Sequence, residues 1–203
     1  MSNRIRIVVA IGACAITVGI GACGSSTTTA TLTPSPSAIV VAPSSSATAT
    51  ASASAAASAL ALTVADLPVG GPTLTQISDG KMNNQPNTDQ RGFANAANTY
   101  RIEDDVLVDT STQSATADYP QLRDATKIQV TTLSSTSTLA GLGSQADEFI
   151  GTTSAGYSDI GITFQEGDVV AVLLLENSAG TVDRSFAEAV ARAQDQKILA
   201  AGI

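Results

Sequence analysis

The sequence predicts an α+β domain, an antiparallel sheet with a long C-terminal helix packed on one face. Four observations carry this prediction. Ile160, Ile162 and Phe164 alternate with Gly161, Thr163 and Gln165, the period-two signature of a strand buried on one face. Val169 to Leu175 is apolar at every position, as a central strand covered on both sides must be. Between them, Gln165-Glu166-Gly167-Asp168 reads as a hairpin turn with Gly167 at positive φ. Finally, Val182, Phe186, Val190 and Ala193 recur on one helical face between Val182 and Leu199, with Ile198 beside them. Thr181 is the candidate N-cap, Ser185 and Glu188 form a candidate capping box, and Glu188 and Arg192 are spaced i,i+4 on the opposite side.

Upstream the pattern is weaker. Leu60 to Val64 opens the domain, and Asp66-Leu67-Pro68-Val69-Gly70-Gly71-Pro72 is a loop by its proline and glycine content. Thr73 to Ile77 is expected as a short strand, and Asp79 to Asn87 as a polar loop. Gly92 to Ile102 is expected to be extended, with Phe93 and Tyr100 inward. Val106 to Val108 is a strand. Residues 112–125 are expected to be helical but interrupted at Pro120, with Asp118 a candidate cap for a short helix that carries Pro120 in its first turn. Ile128 to Thr131 reads as a strand, and Ser134 to Ala140 as a loop.

The N-terminal residues have a different character. Arg4 and Arg6 precede an uncharged apolar stretch from Ile7 to Ala22, and Gly-Ser-Ser-Thr-Thr-Thr follows Cys23. That is an export signal, shorter than the roughly 20 apolar residues needed to span a bilayer. Ile20-Gly21-Ala22-Cys23 resembles the lipobox of bacterial lipoproteins, which implies cleavage between Ala22 and Cys23 and lipidation of Cys23. The tetrapeptide Ile-Gly-Ala-Cys also occurs at 11–14. Cys14, however, lies within the apolar stretch and reads as a small hydrophobe. Residues 24–62 contain Ser, Thr, Ala, Pro and a few aliphatics without a single charge. Such a composition buries too little apolar surface to offset its ordering entropy. Residues 1–22 are thus a signal peptide, 23–62 the lipidated cysteine and linker, and 63–203 one domain facing outside the cytoplasm.

Composition then excludes several functions. The chain has 18 acidic and 10 basic residues, and two of the basic ones lie in the signal. A processed chain with a charge of about −10 repels phosphate backbones, so no nucleic-acid partner is expected. There is no histidine, which removes the Ser-His-Asp triad and the commonest transition-metal ligand. Beyond Cys23 there is no cysteine either.

The remaining motifs are weak. Gly141-Leu142-Gly143-Ser144-Gln145-Ala146 has dinucleotide-loop spacing but lacks the preceding strand and following helix that such a loop requires, so it reads as a turn. Glu103-Asp104-Asp105 lacks the alternation and glycine of a calcium loop and reads as a solvated turn. Gly151 to Gly156 misses the Gly-x-Ser-x-Gly nucleophile spacing by one position. Lys81, Lys127 and Lys197 are the lysines left for a Ser-Lys pair, and the stem of Lys197 is expected to be buried with its charge reaching out. No catalytic, metal or cofactor-binding residue is assigned.

Ile20-Gly21-Ala22-Cys23 resembles a lipobox. With the Ser/Thr/Ala/Pro stalk, Asp66-Leu67-Pro68, Gly141 to Ala146, Glu166-Gly167-Asp168-Val169-Val170 and Phe186 to Gln194, the chain resembles the small cell-envelope lipoproteins of actinobacteria, including mycobacteria. The resemblance implies a sensor-like α+β domain without catalytic residues. The expected function is a non-enzymatic binding or sensing module for an envelope lipid, small molecule or protein, held at the membrane by its lipid anchor. The alternatives are an accessory subunit of an envelope complex and a hydrolase using carboxylates or a Ser-Lys pair.

Overall fold

The computed structural model describes residues 56–82 and 85–203. Ala22, Cys23 and the remainder of the signal and linker up to residue 55 lie outside the described residues.

Seven strands form one antiparallel sheet: β1 (Thr75–Gly80), β2 (Thr88–Ala94), β3 (Tyr100–Val108), β4 (Thr132–Thr138), β5 (Gln145–Thr152), β6 (Ser158–Glu166) and β7 (Val169–Asn177). Their order is β1-β2-β3-β7-β6-β5-β4. The chain lays down β1 to β3 as one meander. It then crosses through helix α2 (Thr112–Gln129) to the far edge and returns as a second meander, so that β7 closes against β3 in the centre. Nine residues of each strand pair there, from Tyr100 with Asn177 to Val108 with Val169.

The apolar run of β7 is explained by cover on both faces. Val169, Ala171, Leu173 and Leu175 join the larger core with Ala187, Val190, Ala191 and Ile198 of α3 (Arg184–Ala201). Val170 and Val172 face Ala115, Tyr119 and Leu122 of α2. The expected sheet and C-terminal helix are therefore present, and a second helix covers the opposite face. For the same reason β6 is buried from Asp159 through Gln165, not on one face as its alternation predicts. Gly161 admits α2 closely, since a Cβ there would lie 2.6 Å from Thr126 Cγ2.

Several local expectations are corrected. Ile128 and Gln129 end α2 and do not begin a strand, while the expected loop from Ser134 contributes to β4. β4 is an exposed edge of Ser and Thr, so no hydrophobic alternation marks it; pairing with β5 makes it a strand. Pro120 sits inside a continuous α2 capped by Ser111, not by Asp118. It occupies the exposed side, where a carbonyl freed by proline can be solvated. Helix α3 is capped by Asp183, whose carboxylate accepts from the backbone N–H groups of Ser185 and Phe186, so neither Thr181 nor a Ser185–Glu188 box caps it. Glu188 pairs with Arg184 at 3.1 Å, and Arg192 donates instead to the carbonyl of Gly141.

The domain also begins earlier than its composition suggests. Residues 56–60 are helical (α1), and Ala57, Leu60, Ala61 and Leu62 are all buried in the larger core. The boundary expected at 62/63 moves upstream to at least Ala57. An alanine-rich, charge-free stretch reads as linker, but the face it buries is supplied by a sheet distant in sequence.

Candidate functional site

The cluster Glu103-Asp104-Asp105 lies within β3, so its side chains alternate between the two faces of the sheet. It is not a solvated turn. Asp104 and Asp105 are buried, and the alternation prevents three adjacent carboxylates from converging on one ion. Burial raises the carboxyl of Asp104 to about 7, against the pull of the Leu62 N–H and the Arg91 charge. Asp105 is raised well above the ordinary range by burial and by the charges of Glu103 and Asp104. A third carboxyl, Asp109, is raised to about 6 by burial and by its neighbours Asp118 and Asp168.

Asp104 belongs to a buried polar set on the α3 side of the sheet. Arg91 of β2 pairs with Asp89 at 3.1 Å and donates to the carbonyls of Ser58, Ala61 and Leu62. Asp104 accepts from the N–H of Leu62. From α3, Gln194 donates to the Leu60 carbonyl, and Lys197 to the Ala61 carbonyl and to Asp66. The Lys197 charge therefore ends on a partner rather than reaching freely into solvent.

The other sequence motifs become turns. Gly141 and Gly143 both have positive φ in the β4–β5 connection. Gly151 to Gly156 leads into the β5–β6 turn, where Thr153 N–H donates to the carbonyl of Tyr157. Gly167 takes its expected positive φ, at 58°.

On the opposite face, a half-open cleft of about 260 Å³ lies between α2 and the β4–β5 edge. Arg123, Asp124 and Lys127 come from α2, Thr136 from β4, and Asp147 and Phe149 from β5. Tyr119 fixes Asp147 by donating its hydroxyl at 3.0 Å, and burial, with the Asp147 charge and this hydrogen bond, raises the pKa of that hydroxyl. Arg123 is held by Asp124 at 2.8 Å. Lys127 and the Thr136 hydroxyl have no hydrogen-bond or ion-pair partner among the described residues. Sequence reasoning singled out only Lys127 of this set. The i,i+4 spacing of Arg123 and Lys127 was the signal available for the helix, but β4 and β5 carried none.

Among the described residues no group of acids and cysteines is arranged to hold a metal ion, and no helix is long and apolar enough to cross a membrane. No protein-family model matches the chain, and no curated protein matches it. A structural comparison matches the extracellular domain of PknH from Mycobacterium tuberculosis at 10% identity and a TM-score of 0.40. The match covers 56% of this chain and 64% of that domain. Similarity of that extent defines neither a shared family nor a shared activity.

Proposed function

We propose that the protein is a lipid-anchored module facing outside the cytoplasm, and that its domain binds a ligand without transforming it. The signal, the lipobox at Ile20 to Cys23 and the uncharged stalk support the anchor. The cleft carries the binding half of the reading. It places an unengaged cation, Lys127, and an unengaged hydroxyl, Thr136, beside a carboxylate, Asp147, whose orientation Tyr119 fixes. The ligand that fits is a small polar molecule with one anionic group and further hydroxyl or amine donors, as on an acidic sugar. The net negative charge of the chain does not forbid an anion there, because repulsion is screened beyond about 8 Å at physiological salt while contact with Lys127 is direct.

Two measurements separate the halves. Wild-type protein is expected in the membrane fraction and Cys23→Ser in the aqueous one; a Cys23→Ser chain that stays with the membrane overturns the anchor. The soluble Cys23→Ser chain is then titrated by calorimetry with glucuronate, glutamate and inorganic phosphate. Saturable binding of at least one is expected, weakened about tenfold by Lys127→Gln through loss of a charge-assisted hydrogen bond. Binding of none, or binding indifferent to Lys127, overturns the cleft.

A further inference from the structure

The way residues 57–66 are held is unusual for a segment with a linker's composition. The end of helix α1 leaves carbonyls that no further turn can satisfy. Side chains from two separate elements, β2 and α3, satisfy them. Arg91 Nη2 reaches Ser58 O at 2.6 Å, Arg91 Nη1 reaches Leu62 O at 2.9 Å, Gln194 Nε2 reaches Leu60 O at 2.8 Å, and Lys197 Nζ reaches Ala61 O at 2.8 Å. Two of these donors are cations, which also suit the negative end of a helix dipole. Asp104 accepts the N–H of Leu62 at 2.7 Å. Apolar sites beneath take Leu60 and Leu62, both essentially inaccessible.

This recognition is directed at main-chain atoms, at the buried side chains of Ala57, Leu60, Ala61 and Leu62, and at Asp66, whose carboxylate pairs with Lys197 at 2.7 Å. The segment is joined to the sheet only through residues 67–74, in which Val69 is fully exposed and Gly70 has a φ of 94°. We propose that the groove between β2–β3 and α3 is a peptide-binding site, filled in this chain by its own residues 57–66 and able to take the same segment from a second copy. The occupant follows from the groove's own chemistry. It fits a helix end that runs into extended chain with leucines at two of its last three buried positions, and every copy of the chain carries that sequence. The connecting loop makes the exchange possible, because it lets the segment leave without unpairing any strand.

The test uses the full Cys23→Ser chain with a protease site inserted between Val69 and Gly70. After cleavage the N-terminal fragment should remain bound through gel filtration. A fluorescent synthetic peptide covering residues 56–67 should then exchange into the groove and appear with the body of the protein. A peptide carrying Leu60→Ala should compete roughly tenfold or more weakly, from the apolar area it no longer buries. This comparison leaves the protein unaltered. If the cut fragment leaves and the peptide does not enter, if the cut chain unfolds and the peptide does not restore it, or if no exchange occurs under a large excess of peptide, the proposal is overturned.

Discussion

Asp104 Oδ2 accepts the backbone N–H of Leu62 at 2.7 Å across 42 residues of sequence. The contact holds a carboxylate inside the core, on a strand whose neighbours are also acidic. Its consequence is a definite pH dependence. The Asp104 carboxyl stands at about 7 and that of Asp109 at about 6, both from an ordinary 3.8, and Asp105 and Asp89 are also raised. Between the unfolded and folded values the folded chain holds protons that the unfolded chain has released. Folding then takes up protons, so this contribution is fully present below about pH 4 and is lost as pH rises through about 6 to 7. The urea midpoint should therefore rise when pH is lowered from 8 to 5. Asp66 and Asp183 have lowered values, so their contribution is lost only in stronger acid and turns the trend over there. A midpoint that falls between pH 8 and 5 contradicts this assignment.

Asp104→Asn separates charge from geometry. The amide oxygen can still accept from Leu62, and position 104 no longer carries a buried charge. The variant should match the wild type at pH 5 and equal or exceed its stability at pH 8, flattening the upper part of the pH profile. A variant less stable at both pH values would show that the charged carboxylate itself is needed.

Leu60→Ala tests whether residues 57–62 belong to the core. A leucine in a linker can be truncated at no cost, whereas one buried to 1% exposure leaves a cavity. The expected loss is about 2–5 kcal/mol by denaturant unfolding. A change within about 0.5 kcal/mol, the range of an ordinary surface site, would return the segment to the linker.

The two glycines of the β4–β5 connection should respond differently. Both have positive φ, at 71° for Gly141 and 55° for Gly143, so alanine is strained at either. At Gly141 a Cβ meets open space, whereas at Gly143 it collides with the carbonyl oxygen of Gln165. Gly141→Ala should cost about 1 kcal/mol and Gly143→Ala clearly more. Equal losses in thermal unfolding would mean that strain alone, without the contact, sets the requirement for glycine.

Arg184→Ala removes the cation 2.8 Å from Glu148, whose side chain is fully buried while that of Arg184 is about half exposed. Ser137 still donates to Glu148 at 2.8 Å. The variant should lose stability, though less than on breaking a wholly buried pair, because water can reach the arginine side. Arg184→Lys should recover part of it. No loss on Arg184→Ala would show that Ser137 alone satisfies the carboxylate.

The sequence by itself determined the elements whose pattern is local. The β6–β7 hairpin could be read from alternation, an apolar run and Gly167, and α3 from its apolar stripe, because each carries its own period. It also excluded imidazole chemistry by composition. The tertiary structure decided what depends on partners far along the chain. Glu103 to Asp105 is a strand interior because β2 and β7 pair with it on either side, although three adjacent acids read locally as a turn. β4 has no hydrophobic signal and exists as a strand through β5. Ala57 to Leu62 is core because Arg91, Asp104, Gln194 and Lys197, 29 to 136 residues away, supply the hydrogen bonds that its backbone would otherwise take from water. The cleft likewise exists only because the α2 crossover lays Arg123 and Lys127 over β4 and β5. Long-range burial and hydrogen bonding leave no periodic trace in the segment that receives them, which is why the hairpin was legible in advance while the first buried turn and the candidate site were not.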